Sequence, residues 1–240
     1  MPSASSLTEF KQAAADLAVA QVIDGMIVGL GTGSTAALAV NALGKRVQQG
    51  LRVIAIPTSE ATAGQARGLG IPLSTLAEHS EIDLTIDGAD EVELGTLNLI
   101  KGHGGALLRE KIVASASAQL IIIVDETKLV ERLGVHFAVP AEVVPFGWQA
   151  TAKKLAQLGA NPSLRRRDGG EPFITDGGHY ILDCAFGAIP SPADLDRQLD
   201  SVVGLVEHGL FIGMTSQVIV GGKHGVDTLQ PSSGAAAGKP

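Results

Sequence analysis

The chain has 240 residues, of which 45% are hydrophobic and 18% charged, and its formal net charge is −7. That length accommodates one large domain or two unequal ones with a sizeable core, and the acidic balance excludes a general nucleic-acid surface, which needs a basic footprint. Aromatic residues make up only 3%, so the core must be aliphatic, as in buried parallel sheets. A single cysteine, Cys184, excludes an internal disulfide framework and reads as a small buried residue. It suits a reducing compartment, so a cytoplasmic location is expected. No apolar run reaches membrane-spanning length, and the opening MPSASSLTEFK lacks the basic-then-apolar pattern of a secretory signal.

In chain order, Ser6 or Thr8 would cap a helix over residues 11–22. MIVGL reads as a strand, GTG as a glycine turn, and residues 34–49 as a helix. RVIAIP is a strand ending at Pro57, TSEAT opens a helix, and IPLSTL is a short strand. IDLTID, at 82–87, is a strand that ends in a carboxylate, and KGHGG is a glycine turn feeding another helix. QLIIIVD is a continuous β-branched run, the mark of a strand buried on both faces. This alternation predicts an α/β fold, a Rossmann-like, mainly parallel sheet with helices on both faces.

After Pro140 the pattern changes. AEVVPFG, PSLRRR, FITD, HYILDCAF and GLVEHGLFI read as strands, and WQATAKKLAQLG as an amphipathic helix. SPADLDRQLDSV is a second helix, with Ser191 as cap and Pro192 in the first position. This order predicts a smaller ferredoxin-like α+β domain over 136–210, a candidate oligomer interface. QVIVGG and GVDTL can rejoin the first sheet, so the catalytic domain would comprise 1–135 and 211–230. The last residues, 231–240, read as a flexible tail.

GLGTGSTA, at 29–36, follows a strand and opens a helix, and it fits G-x-G-x-x-G/A. A dinucleotide loop needs an acidic residue at the end of the next strand, but RVIAIP runs into Thr58 and Ser59. A phosphate cradle fits better: helix N-terminal N–H groups favour an anion, and Thr32, Ser34 and Thr35 add hydroxyl donors. No Gly-Lys-Ser/Thr closes the motif, so it is not a P-loop. A tight structural turn is the bland alternative.

DGADEV puts Asp87 and Asp90 around a Gly88-Ala89 turn at a strand's carboxyl end, where open α/β sheets bind ligands. His79 and His103 lack metal-ligand spacing relative to it, so no metal is expected. In KGHGGALLREKI, Gly102, Gly104 and Gly105 let the chain turn close to a ligand, while Lys101 and Glu110 flank that turn. On residues alone, Lys101 and Glu110 could equally be solvated surface charges.

Taken together, GLGTGSTA, PTSEAT (57–62), DGADEV (87–92), KGHGGALLREKIVA (101–114), VDETKLVERLG (124–134) and VPAEVVPF (139–146) resemble the type A ribose-5-phosphate isomerase family, over roughly residues 8–229. The resemblance implies interconversion of D-ribose 5-phosphate and D-ribulose 5-phosphate through an enediolate, without metal, nucleotide or other cofactor, by a homodimer or homotetramer. By motif position Glu110 matches the general base, and Asp87, Asp90 and Lys101 match other active-site residues. Thr32, Ser34 and Thr35 match the phospho-sugar loop, and Lys11 and Lys128 match cations at the phosphate end. Gly33, Gly88, Ala89, Gly102 and Gly104 complete the expected substrate contacts. The chain departs from the family pattern at His103, where many members carry glycine. The alternatives are a non-catalytic sugar-phosphate-binding module, a sugar-phosphate deaminase or lactonase, and an NAD-dependent oxidoreductase.

Overall fold

The computed structural model describes residues 4–232. The expected tail therefore lies outside the described residues except for Pro231 and Ser232, and Ser232 N–H donates to Gly95 O. The first half contains α1 (Ala4–Ala20), β1 (Ile27–Leu30), α2 (Ser34–Gln48), β2 (Ile54–Pro57), α3 (Glu60–Gly68) and β3 (Ile82–Asp87). It continues through β4 (Glu91–Glu93), β5 (Leu99–Ile100), α4 (Leu107–Ser115), β6 (Ser117–Asp125) and β7 (Leu129–Val130). Then come β8 (Val139–Val143), α5 (Trp148–Gln157), β9 (Asn161–Leu164), β10 (Tyr180–Ala185), α6 (Pro192–Asp200) and β11 (Leu205–His208). The chain closes with β12 (Leu210–Phe211), β13 (Gln217–Gly222) and β14 (Gly225–Leu229).

The main sheet has the order β14-β13-β6-β3-β1-β2, all parallel except β14, which pairs antiparallel with β13. The run QLIIIVD forms β6 in its middle. Ile121 and Ile123 pack into one core with α1 and α2, while Leu120, Ile122 and Val124 pack into another on the opposite face. Both faces are dry, which is why the run does not alternate. Each such buried aliphatic side chain contributes about 1.5–3 kcal/mol of transfer free energy.

The second face carries a helix, as expected, and short strands beside it. Ala114 of α4 lies there, but so do β4, β5 and β12, which belong to a small sheet of order β12-β5-β4-β7. Its strands are two or three residues long, too short to show periodicity.

A four-stranded antiparallel sheet, β11-β8-β10-β9, spans Val139 to His208. With its own strands numbered in sequence, that is the order 4-1-3-2 of the ferredoxin-like arrangement, and α5 and α6 are its helices. GLVEHGLFI is not one strand. It breaks at Gly209, whose N–H donates to Pro140 O and whose carbonyl accepts from Lys101 N–H. A Cβ at 209 would stand 2.2 Å from Lys101 O, so only glycine lets the chain pass between the two sheets here.

Other boundaries also moved. The first helix begins at Ala4, so Ser6 and Thr8 lie inside it rather than capping it. IPLSTL contributes a single bridge, Leu73 to Ala55, and FITD contributes none, the neighbouring bridge being from Pro172 to Arg166. Ser191 precedes Pro192 as expected, but its hydroxyl donates to the Asp194 carboxylate and accepts from no α6 backbone N–H.

Candidate active site

The main sheet switches direction around β1, with β2 on one side and β3 on the other. Ligands bind at the carboxyl ends of strands where the order reverses. There the loop after β1 meets the end of β3, and Gly31 N–H donates to Ile86 O. Gly31 is glycine because Asp87 stands against it: a Cβ there would fall 2.1 Å from Asp87 Oδ1. The fingerprint-like spacing thus serves the packing of a carboxylate.

The loop then opens α2, whose N-cap, Gly33, has no side chain to take up the first N–H groups. Such an end attracts an anion. Thr32 is committed elsewhere. Its N–H donates to Asp87 Oδ1, and its hydroxyl donates to Ser59 and bonds those of Thr58 and Thr62. It therefore fixes the loop, with its hydroxyl engaged by the neighbouring turn. The hydroxyls of Ser34 and Thr35 meet no partner among the described residues. The nucleotide reading weakens further, because Ser59 caps α3 and the exposed Glu60 pairs with Arg109.

Three buried ionisable side chains converge beneath this loop. Lys101 leaves the end of β5, and its Nζ lies 3.0 Å from Asp87 Oδ2 and 3.5 Å from Glu110 Oε2, while donating to Gly88 O at 2.6 Å. All three side chains are at most 3% exposed. Asp87 also accepts from Gly88 N–H. Glu110 arrives from the first turn of α4, and its buried Oε2 accepts no hydrogen bond.

Burial raises the Asp87 carboxyl, against the pull of Lys101. Burial would lower the Lys101 ammonium, but Asp87 and Glu110 outweigh it and hold the ammonium above its ordinary value. Burial pushes Glu110 up to about 8; Lys101 opposes this, and Asp87 and Asp90 reinforce it. Glu110 is thus a carboxyl poised near neutrality, as proton transfer requires.

A cavity opens onto this cluster. Lys11, Thr32, Gly33, Ser34, Thr35, Gly88, Ala89, Asp90, Lys101, Gly102, His103, Gly104, Glu110 and Lys128 line it. These are the residues expected from the sequence, with Asp87 just behind the wall and His103 added. Asp90 Oδ2 accepts from His103 N–H at 3.0 Å. His103 itself carries no left-handed backbone; Gly102 and Gly105 do, at φ of 103° and 81°.

The two peripheral lysines are steered differently. Lys11 Nζ lies 3.6 Å from Asp125, and Lys128 Nζ sits 4.5 Å above the Phe137 ring, whose edge meets His103. Phe137 was not anticipated, nor was the buried Glu91 that places it, by accepting from the N–H groups of Gly134, His136 and Phe137. Glu91 lies within DGADEV and was the one overlooked signal. Among the described residues, the one trio of metal-capable side chains, Asp200, Glu207 and His208, is not part of this cavity.

Comparison with known proteins agrees with this geometry. The profile of the ribose 5-phosphate isomerase A (phosphoriboisomerase A) family matches residues 54–225. The chain is 64% identical to ribose-5-phosphate isomerase A of Gloeobacter violaceus, covering 93% of this chain and 96% of that one. It is 58% identical to that of a Synechococcus strain, covering 95% and 100%. Among solved structures, ribose 5-phosphate isomerase A of Methanocaldococcus jannaschii superposes with a TM-score of 0.88 at 41% identity, over 92% and 98% of the two chains. A D-ribose-5-phosphate isomerase in complex with phospho-erythronic acid superposes at 0.90 and 38% identity, over 93% and 99%. From motif order, site geometry and these likenesses together, the chain belongs to the ribose-5-phosphate isomerase A family.

Proposed function

We propose that the chain interconverts D-ribose 5-phosphate and D-ribulose 5-phosphate, with Glu110 as the base. The carrying observation is Glu110 itself: buried, raised to about 8, with one oxygen lacking a hydrogen bond, in a cavity shared with Lys101. In the open-chain aldose, Glu110 takes the proton from C2, and the electron pair moves through the C1–C2 bond onto O1. Lys101, held by Asp87, faces the oxyanion that develops. Return of that proton to C1, with the O2 proton passing to O1, gives the ketose. Nothing is oxidised or reduced overall, so the step needs no electron acceptor. A positioned acid–base group supplies about 10²–10⁴-fold, and electrostatic stabilisation and binding supply the rest.

The remaining roles follow from position. The uncapped end of α2, with Ser34, Thr35, Lys11 and Lys128, would hold the phosphate. Asp87 assists ring opening or hydroxyl proton transfer, and Asp90 orients the Lys101–Gly105 turn through His103 N–H. We assign catalysis to residues 1–135 and 211–230, and oligomer contacts to 136–210. Val144, Phe146 and Val203 stand exposed there, with Val144 N–H bonded to Gly204 O, a patch suited to self-association. The cytoplasm is the proposed compartment, because Cys184 is a free thiol.

The test is to incubate the protein and its Glu110→Gln variant with ribose 5-phosphate and measure ketose formation. Turnover by the wild type and its near-complete loss in a folded Glu110→Gln are expected. Binding without turnover by the wild type would return the protein to the class of sugar-phosphate-binding modules.

A further inference from the structure

The turn from Lys101 to α4 carries the ammonium at one end and the base at the other, yet much of its hold comes from outside the catalytic sheet. The turn has one internal backbone bond, Gly105 N–H to Gly102 O at 3.0 Å, and two glycines with left-handed φ. Alone it would be soft.

Arg165, just beyond β9, reaches into it. Arg165 Nη1 donates to Gly102 O at 2.9 Å and His103 O at 3.0 Å. The other edge of the guanidinium is fixed: Nε and Nη2 donate to the two carboxylate oxygens of Asp183 on β10, at 3.0 and 2.5 Å. Arg165 N–H is itself pinned to Ile181 O. Behind the turn lies Phe173, so close that a Cβ on Gly105 would stand 2.4 Å from its ring. The Arg165 guanidinium lies 6.0 Å from the same ring.

We propose that Arg165, oriented by Asp183 and backed by Phe173, is a positioning residue for the isomerisation: its fork holds the carbonyls of Gly102 and His103 and thereby sets the spacing of Lys101 and Glu110. The proposal rests on the assignment of Glu110 as base. A planar fork with donors on both edges can satisfy a carboxylate and two carbonyls at once; an ammonium cannot. Charge-assisted bonds of this kind are about twice as strong as neutral ones. The same grip keeps His103 N–H on Asp90. The four-stranded sheet is thereby tied into the chemistry of a site that none of its own side chains lines.

The test compares Arg165→Ala and Arg165→Lys with wild type in kcat, KM, the pH profile of kcat/KM and thermal melting. A misplacement of about 1 Å costs up to ~10²-fold in rate, so Arg165→Ala should lose roughly 10–100-fold in kcat with a much smaller change in KM. The acid limb of its kcat/KM profile should move to lower pH as water reaches Glu110, a change that loss of stability alone does not produce. Arg165→Lys should fall between the two, and millimolar guanidinium should restore part of the Arg165→Ala rate. A folded Arg165→Ala with wild-type kcat and an unmoved acid limb overturns the proposal. If Arg165→Ala does not fold, Arg165→Lys decides, and wild-type kcat and acid limb there overturn it. Glu110→Gln is measured alongside. If it retains turnover, the base assignment fails and the proposal with it; if it is inactive while the Arg165 variants are normal, only the clamp fails.

Discussion

Replacing Glu110 by glutamine probes the charge balance of the buried cluster. Asp87 and Glu110 bring two carboxylates to one ammonium, all buried, so full ionisation leaves one uncompensated negative charge. In the unfolded chain Glu110 titrates near 4.5; in the folded chain it titrates at about 8. Below pH 4.5 both states hold the proton and Glu110 costs the fold nothing. Between 4.5 and 8 the unfolded chain releases the proton while the folded chain keeps it, so stability falls as pH rises. At ~1.4 kcal/mol per pH unit the full gap is roughly 5 kcal/mol, and because Asp87 shares the excess charge, Glu110→Gln should recover roughly 3–5 kcal/mol at pH 9. Urea and thermal unfolding across pH 4.5–9 would measure it, with roughly 2–4 °C in Tm for each kcal/mol in a chain of this size. The variant should be more stable than wild type in alkali, indistinguishable near pH 4.5, and inactive throughout. If it is no more stable at pH 9, or more stable by the same amount at every pH, the reasoning is wrong.

Lys101→Met should do the opposite, leaving two buried carboxylates without a cation; stability should fall by roughly 3–5 kcal/mol in alkali, recover partly in acid as a proton replaces the ammonium, and turnover should vanish. Denaturation at pH 5 and pH 9 separates this from a simple packing defect, which would cost the same at both. Gly31→Ala drives a methyl into Asp87 and should abolish activity even where the protein folds, whereas Gly64→Ala, in α3 with nothing within 4 Å, should stabilise by about 0.5–1 kcal/mol in a thermal melt. Equal effects of the two would show that the close approach at Gly31 is unimportant. Exhaustive chelation should leave ketose formation unchanged; loss that a divalent cation restores would require a metal-dependent step.

The parts legible in advance were those that local chemistry writes into contiguous residues. Glycine loops between strand and helix, and carboxylates at strand ends, marked the cavity wall almost residue by residue. The continuous aliphatic run of β6 marked the sheet centre. The small sheet β12-β5-β4-β7 escaped because strands of two or three residues carry no period, although it launches Lys101. The break at Gly209 escaped because what demands it, Lys101 O, lies more than a hundred residues earlier. The bonds that engage the Thr32 hydroxyl escaped as well, since its partners Thr58, Ser59 and Thr62 come from the next βα turn. Arg165 and Phe173 sit in no motif, and only the folded chain brings them to Gly102 and Gly105.

The place of β13 has a consequence for biosynthesis. Val218, Ile219 and Val220 pair in parallel with Ile122, Ile123 and Val124 of β6, and the intervening chain builds the whole four-stranded sheet. On the ribosome β6 therefore emerges with one edge unpaired, and nearly a hundred residues must follow before its neighbour arrives. A long aliphatic, β-branched edge is an aggregation template while it waits. The four-stranded sheet, contiguous in sequence, can form during that interval, but the main sheet closes only when β13 is made. Truncations before residue 217 should therefore yield insoluble protein, whatever they retain of the cavity.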